Sequence, residues 1–280
     1  VYEVHCWTNR PIWPQGLMKP KEGMPIPKDL DWNLFLGPAE YREYNSVYTP
    51  WNWRGWYDFG TGALGDMACH IMDPIYWALN LKYPTKVNGS STLSNLYSPP
   101  HAEIVKYTFP ARPKAGKVKM PEVDVYWYDG GLLPDRPKEL APGMMMGDPD
   151  GGIIFVGKKG KIMTGCYGMN ATLLPVENMK DFKKPTPWIP RVKGGNGDIW
   201  KTDAHEQDWI RAAKESKDNR TETSSNFQFS GPFNEMVVMG VLAVRLQALN
   251  RELLWDGENM RITNLEEANS VSTIFWIPIG

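Results

Sequence analysis

A chain of 280 residues, 42% hydrophobic and 22% charged, can bury a full core as one large domain or two small ones, which excludes a disordered or fibrous chain. Its formal net charge of -1 and pI near 6.5 offer no basic excess for a phosphate backbone or an anionic lipid surface, so small molecules are the expected partners, with no nucleic acid and no membrane insertion. No stretch approaches the roughly 18 apolar residues of a bilayer span, and the opening VYEVHCWTNR has neither an initiator Met nor a charged region ahead of an apolar one, which reads as a processed or truncated chain.

Residues 1–9 alternate, with Val4, Cys6 and by the same pattern Tyr2 on one side, and predict a strand. The following RPIWPQGLMKPKEGMPIP is too interrupted by proline for a helix or a central strand and reads as a long loop. It opens a region rich in tryptophan, of which the chain has 13. A flat ring with a polar edge suits either core packing or the stacking of a sugar.

The next stretch, DFGTGALGDMACHIMDPIYWAL, holds two patterns in succession. Gly60, Gly62 and Gly65 fit G-x-G-x-x-G, but that dinucleotide fingerprint needs a buried strand before it and an acidic residue about 20 positions on. The preceding TPWNWRGWYDF is aromatic and polar, and the later position falls near Lys82 to Pro84 in a loop. The glycines are therefore expected to form the tight lead-in to a helix. On that helix Leu64, Met67, Ala68, Ile71, Met72 and Ile75 form an apolar stripe, and Asp66, His70, Asp73 and Trp77 share the opposite face at spacings of four, three and four. An imidazole with a carboxylate one turn to either side can be oriented and tuned for proton transfer. The same spacing also describes a solvated helix face. Pro74 removes the amide that would bond the His70 carbonyl and predicts a kink.

Further on, KVNGSSTLSNLY and HAEIVKYTFPA predict consecutive strands. Residues 111–152 collect Pro, Gly, Lys and Asp around one aromatic strand, VDVYWYDG, and read as an excursion. IIFVGKKGKIMTG predicts a hairpin turning between Gly157 and Gly160. Two helices close the chain: TDAHEQDWIRAAKESK, with Asp203 as N-cap and Glu206 three residues on, and GPFNEMVVMGVLAVRLQAL, starting near Pro232 and buried on most sides. The fold class expected is α+β, a largely antiparallel open sheet with helices on one face, as a single domain over residues 1–280. Cys6, Cys69 and Cys166 are widely spaced and read as core residues, without a disulfide framework or a thiolate metal site. His5 and His101 fall on strands and read as structural or solvated. No metal-ligand spacing and no serine nucleophile with its base is visible.

The run GTGALGDMACHIMDPIYWALN resembles the G-G-G-x-x-x-D-x-G-x-H-x-x-D-x-x-x-W pattern of the Gfo/Idh/MocA oxidoreductases, the glucose-fructose oxidoreductase and inositol dehydrogenase family. WTNRPIWPQG and WNWRGWYDFG resemble its aromatic-rich, Bacteroidetes-type variant, FVGKKGKI its hairpin, and HEQDWIRAAKESKD its late helix. Ala68 stands in place of the usual glycine, and Thr61 interrupts the glycine run. The resemblance implies the C-terminal domain of a bacterial enzyme whose N-terminal Rossmann domain binds NAD or NADP and carries an E-K-P lysine. No E-K-P occurs here, so the Rossmann domain is expected to be absent, with no cofactor bound to this chain alone.

By the same resemblance Asp66 and His70 are catalytic, His70 moving a proton from a sugar hydroxyl. Arg10, Trp13, Trp53, Arg54, Trp56, Asp73 and His205 are candidate substrate contacts, the second tryptophan group because it lies just before the glycine turn. The implied substrate is a sugar, sugar derivative or cyclitol, and the implied assembly a homo-oligomer joined through the sheet, in periplasm or cytoplasm. Two other readings stand beside this one: a redox-assisted glycosidase or lyase, and a non-catalytic binding or oligomerisation module.

Overall fold

The structure is a computed structural model that describes residues 1–186 and 204–270. Its strands are β1 (Glu3–Thr8), β2 (Lys86–Ser91), β3 (Glu103–Phe109), β4 (Arg112–Ala115), β5 (Val118–Met120), β6 (Val123–Tyr128), β7 (Gly151–Gly157), β8 (Gly160–Gly165), β9 (Thr172–Leu174), β10 (Leu253–Asp256) and β11 (Arg261–Ile262). Its helices are α1 (Trp32–Leu36), α2 (Gly62–Ile71), α3 (Asp73–Ala78), α4 (Ala204–Lys214) and α5 (Phe227–Arg245). Nine strands form one open sheet in the order β11-β10-β2-β3-β6-β1-β7-β8-β9, and β4 and β5 make a separate ribbon. Every pairing in that sheet is antiparallel except β1 with β6. This is the α+β architecture expected.

Alternation along the strands sorts the sheet into two faces. Val4 and Cys6 of β1, Val105 and Tyr107 of β3, Val125 and Trp127 of β6 and Ile153 of β7 join α2, α3 and α5 in the main core. The sheet and α5 approach closely at Gly89, where a Cβ would lie 2.6 Å from the Val244 amide of α5. Trp7, Ile154, Val156 and Met163 point the other way and gather a smaller cluster with Leu140 and Leu174. The rest of that outer face is polar and aromatic: His5 stacks on Tyr126 at 5.0 Å and bonds Glu3 and Tyr128, each at 3.0 Å. A third cluster, Trp32, Leu36, Tyr44, Tyr48 and Trp56, gives the proline-rich loop its own core.

Several expectations are corrected. Tyr2 precedes β1 and is 46% exposed, outside the cluster that covers Val4 and Cys6. The aromatic strand of the 111–152 stretch is β6, which lies inside the sheet between β3 and β1. Its parallel pairing with β1 joins residues about 120 apart (Val4 with Val125), which no local pattern reveals. Helix α5 begins at Phe227, where the Asn226 side chain accepts the Phe229 amide at 3.1 Å. Pro232 therefore falls in its second turn, where its cost is one lost amide bond. His101 lies ahead of β3 and is exposed, and Cys69 is exposed where a core cysteine was expected. Asp203, the expected N-cap of α4, lies outside the described residues. The Gly157–Gly160 hairpin forms as the sequence predicts.

Candidate functional site

The site is built on α2. Gly62 starts the helix at φ +71°, a conformation that L side chains adopt only with strain, and a Cβ on Gly65 would lie 1.6 Å from Thr61 Oγ1. The glycines therefore serve a tight turn, preceded by a single 3-10 turn over Asn52–Gly55 and not by a strand. Thr61 makes no capping bond. Instead Gln15 Oε1 accepts the Ala63 amide at 2.9 Å and the Trp13 indole N–H at 3.0 Å. The six apolar residues of the predicted stripe are all buried, which turns Asp66 and His70 outward. Met72 separates α2 from α3, and Pro74 occupies the first turn of α3, the kink foreseen.

Asp66, His70, Arg54, Trp53, Tyr57 and Asp58 line a cleft of about 600 Å³. Arg54 is its best-held member. Its Nε donates to Asp66 Oδ1 at 3.0 Å, and its guanidinium lies over the rings of Trp51 at 4.0 Å, Trp53 at 4.5 Å and Trp13 at 5.7 Å. Such stacking holds a delocalised cation at fixed orientation. Arg42 anchors the other wall through Asp58 at 2.6 Å. Asp66 is thus engaged by Arg54, and among the described residues neither Asp66 nor Asp73 hydrogen-bonds His70. The expected carboxylate–imidazole arrangement is replaced by a different neighbour: the His70 ring meets Tyr167 edge to face, with centroids 5.2 Å apart.

The remaining candidates divide. Asp73, at the start of α3, is half-buried, and burial raises its carboxyl to about 6, opposed by the charge of His205 and a hydrogen bond from Trp77. His205, in the first turn of α4, is therefore brought beside this face. Arg10 pairs with Asp150 at 3.2 Å and acts electrostatically on Tyr167. Trp56, at 1% exposed, donates its indole N–H to the Val47 carbonyl at 2.9 Å. Trp13 is 4% exposed behind Arg54. Neither ring has surface to offer a ligand, because both are spent on packing. Trp53 keeps a half-exposed ring on the cleft wall. Gln15 and Tyr167 are the residues that sequence reasoning missed. Among the described residues no group of three His, Cys, Asp or Glu could hold a metal ion, and no helix is long and apolar enough to cross a membrane.

The stretch that supplies this cleft is also the stretch that has known counterparts. Residues 7–92 match the model of the oxidoreductase family C-terminal alpha/beta domain, of Gfo/Idh/MocA type. No curated protein matches the chain. The match supports kinship with that oxidoreductase family, and the open, mostly antiparallel sheet with helices on one face agrees with its C-terminal domain. The matched span includes Arg10, Arg54, Asp66, His70 and Asp73, whereas Tyr167 and His205 lie beyond it.

Proposed function

We propose that this chain is the substrate-binding half of an NAD(P)-dependent oxidoreductase acting on a sugar, sugar derivative or cyclitol. The observation that carries the reading is the cleft in which Arg54, Asp66 and His70 converge within the segment matched by the oxidoreductase model. A polyol needs donors and acceptors at close spacing and a flat apolar surface for its ring face. The cleft offers a guanidinium, two carboxylates, an imidazole and the Trp53 ring. His70, exposed at its edge, takes the proton from the hydroxyl that is oxidised, and the Arg54–Asp66 pair orients the neighbouring hydroxyls.

The glycine run does not make a dinucleotide fingerprint. Gly60, Gly62 and Gly65 follow a 3-10 turn and not a strand, so no cradle for a pyrophosphate is formed. The proposal assigns NAD or NADP, and with it hydride acceptance, to a separate dinucleotide-binding domain. It also includes a homo-oligomer formed through the outer sheet face. The aromatic cluster on that face supports the reading, with His5 stacked on Tyr126 and tilted against Tyr128, although the face is more polar than the strand pattern suggested.

Calorimetric titration of the chain with glucose, myo-inositol and a hexuronate, and separately with NAD and NADP, tests the assignment. The expected result is heat from at least one polyol, abolished in Asp66→Ala, and none from either dinucleotide. Micromolar affinity for NAD would contradict the assignment of the dinucleotide to a separate domain, and no polyol response together with strong oligomerisation would favour the binding or assembly module instead.

A further inference from the structure

Tyr167 occupies a backbone conformation that its residue type avoids. It sits at φ +59° and ψ +16° in the turn after β8, the left-handed region where a Cβ crowds the following carbonyl and where bulky side chains are rare. The surroundings hold it there. Asp148 Oδ2 accepts the Cys166 amide at 2.8 Å, while Asp148 Oδ1 takes the amides of Asp150 and Gly151 at 2.9 and 3.1 Å. Gly165 donates to the Met169 carbonyl at 2.8 Å and Met169 back to Cys166 at 3.2 Å. Gly165 is packed so tightly that a Cβ would lie 2.1 Å from Asp148 Oδ2. On the other side Gly168, itself at φ +69°, lies against Pro74 of α3.

Packing alone does not account for a tyrosine at this position. The residue is 42% exposed, and glycine would adopt the same backbone freely. What the conformation achieves is to aim the ring at His70, 5.2 Å away and edge on at 66°. Strain of this kind persists where the surrounding structure over-determines it, and it concentrates at functional sites. The phenol also lies within electrostatic reach of the Arg10–Asp150 pair and of Cys69, and partial burial raises its pKa above the ordinary tyrosine value.

We propose that Tyr167 is a positioning residue for His70, fixing the plane of the imidazole at the mouth of the cleft in the role that sequence spacing assigned to Asp66. The proposal rests on the reading of His70 as the proton-transfer group and names the device that orients it. Asp148, through the turn, is the support of that device. Arg10, expected as a substrate contact, borders it.

The chain has four histidines, so imidazole-labelled protein gives a spectrum simple enough to assign His70 by His70→Gln. Tyr167→Phe retains the ring and should leave the His70 signals in place. Tyr167→Gly should shift them and average the ring orientation, while the melting temperature stays level or rises because the backbone strain is gone. In the enzyme joined to its dinucleotide-binding domain, Tyr167→Gly should lower kcat about tenfold with KM unchanged, and Tyr167→Phe should restore it. Unmoved His70 signals in Tyr167→Gly would overturn the proposal, as would a melting temperature lowered by several degrees, which would make the ring a packing element. Should His70→Ala itself keep normal turnover, the underlying reading of His70 fails, whatever the Tyr167 variants show.

Discussion

Replacing Arg54 by Met keeps the aliphatic stem among the tryptophans and removes the charge. Two interactions are lost together. The ion pair with Asp66 at 3.0 Å is a partly exposed one, with side chains 20% and 25% exposed, and such pairs contribute about 0.5–1 kcal/mol. The stack on Trp51 and Trp53 adds about 0.5–1 kcal/mol, because one cation shared between rings does not count fully for each. The loss is therefore about 1–2 kcal/mol, which in a chain of this size lowers the melting temperature by about 2–4 °C. Asp66→Asn leaves a carbonyl for the Arg54 Nε–H and should cost about half as much. Thermal melts of both single variants and the double variant complete a cycle whose coupling should be about 0.5–1 kcal/mol. Losses that add to within about 0.3 kcal/mol would show that the pair makes no joint contribution, and that the cleft wall is held by aromatic packing alone.

Trp56→Ala should cost about 3–5 kcal/mol, as for other large buried rings, whereas Trp53→Ala should cost about 1 kcal/mol and show itself mainly in weaker polyol binding; equal losses in denaturant titrations would contradict the division drawn between the two. Asp73 supplies a pH signature. Its folded-state value of about 6 lies above the ordinary 3.8, so its contribution is full below the unfolded value and is lost as pH rises through 6. Asp73→Asn should accordingly gain stability relative to the unaltered chain between pH 4 and pH 7, and a pH-independent gap between their melting temperatures would refute the assignment.

The parts of this structure legible in the sequence are those governed by local periodicity. The α2 stripe and the break at Met72 follow from 3.6-residue spacing and one proline, and the Gly157–Gly160 hairpin from its turn residues. The parts that were not legible depend on partners far apart in the chain. Gln15 caps a helix amide 48 residues away, and β6 finds its place through β1. The Asp66 carboxylate points toward His70 in a helical projection, yet a cation 12 residues earlier captures it, since a charged donor outcompetes an imidazole one turn away. Tyr167 carries no motif at all, and only its backbone angle and its distance from His70 single it out. The tryptophans illustrate the limit of composition: Trp56 is buried in a small aromatic core, Trp13 is buried behind Arg54, and Trp53 stays half-exposed on the cleft wall.

The central claim is that His70 is the proton-transfer group of a sugar-oxidising cleft. Its most direct test is turnover of a polyol substrate by the chain joined to the dinucleotide-binding domain proposed for it, with His70→Ala compared against the unaltered protein at matched folding. The account predicts a loss of about a hundred- to ten-thousand-fold in kcat with NAD affinity unchanged. Normal turnover by a folded His70→Ala variant would contradict it and leave this face of α2 as solvated surface.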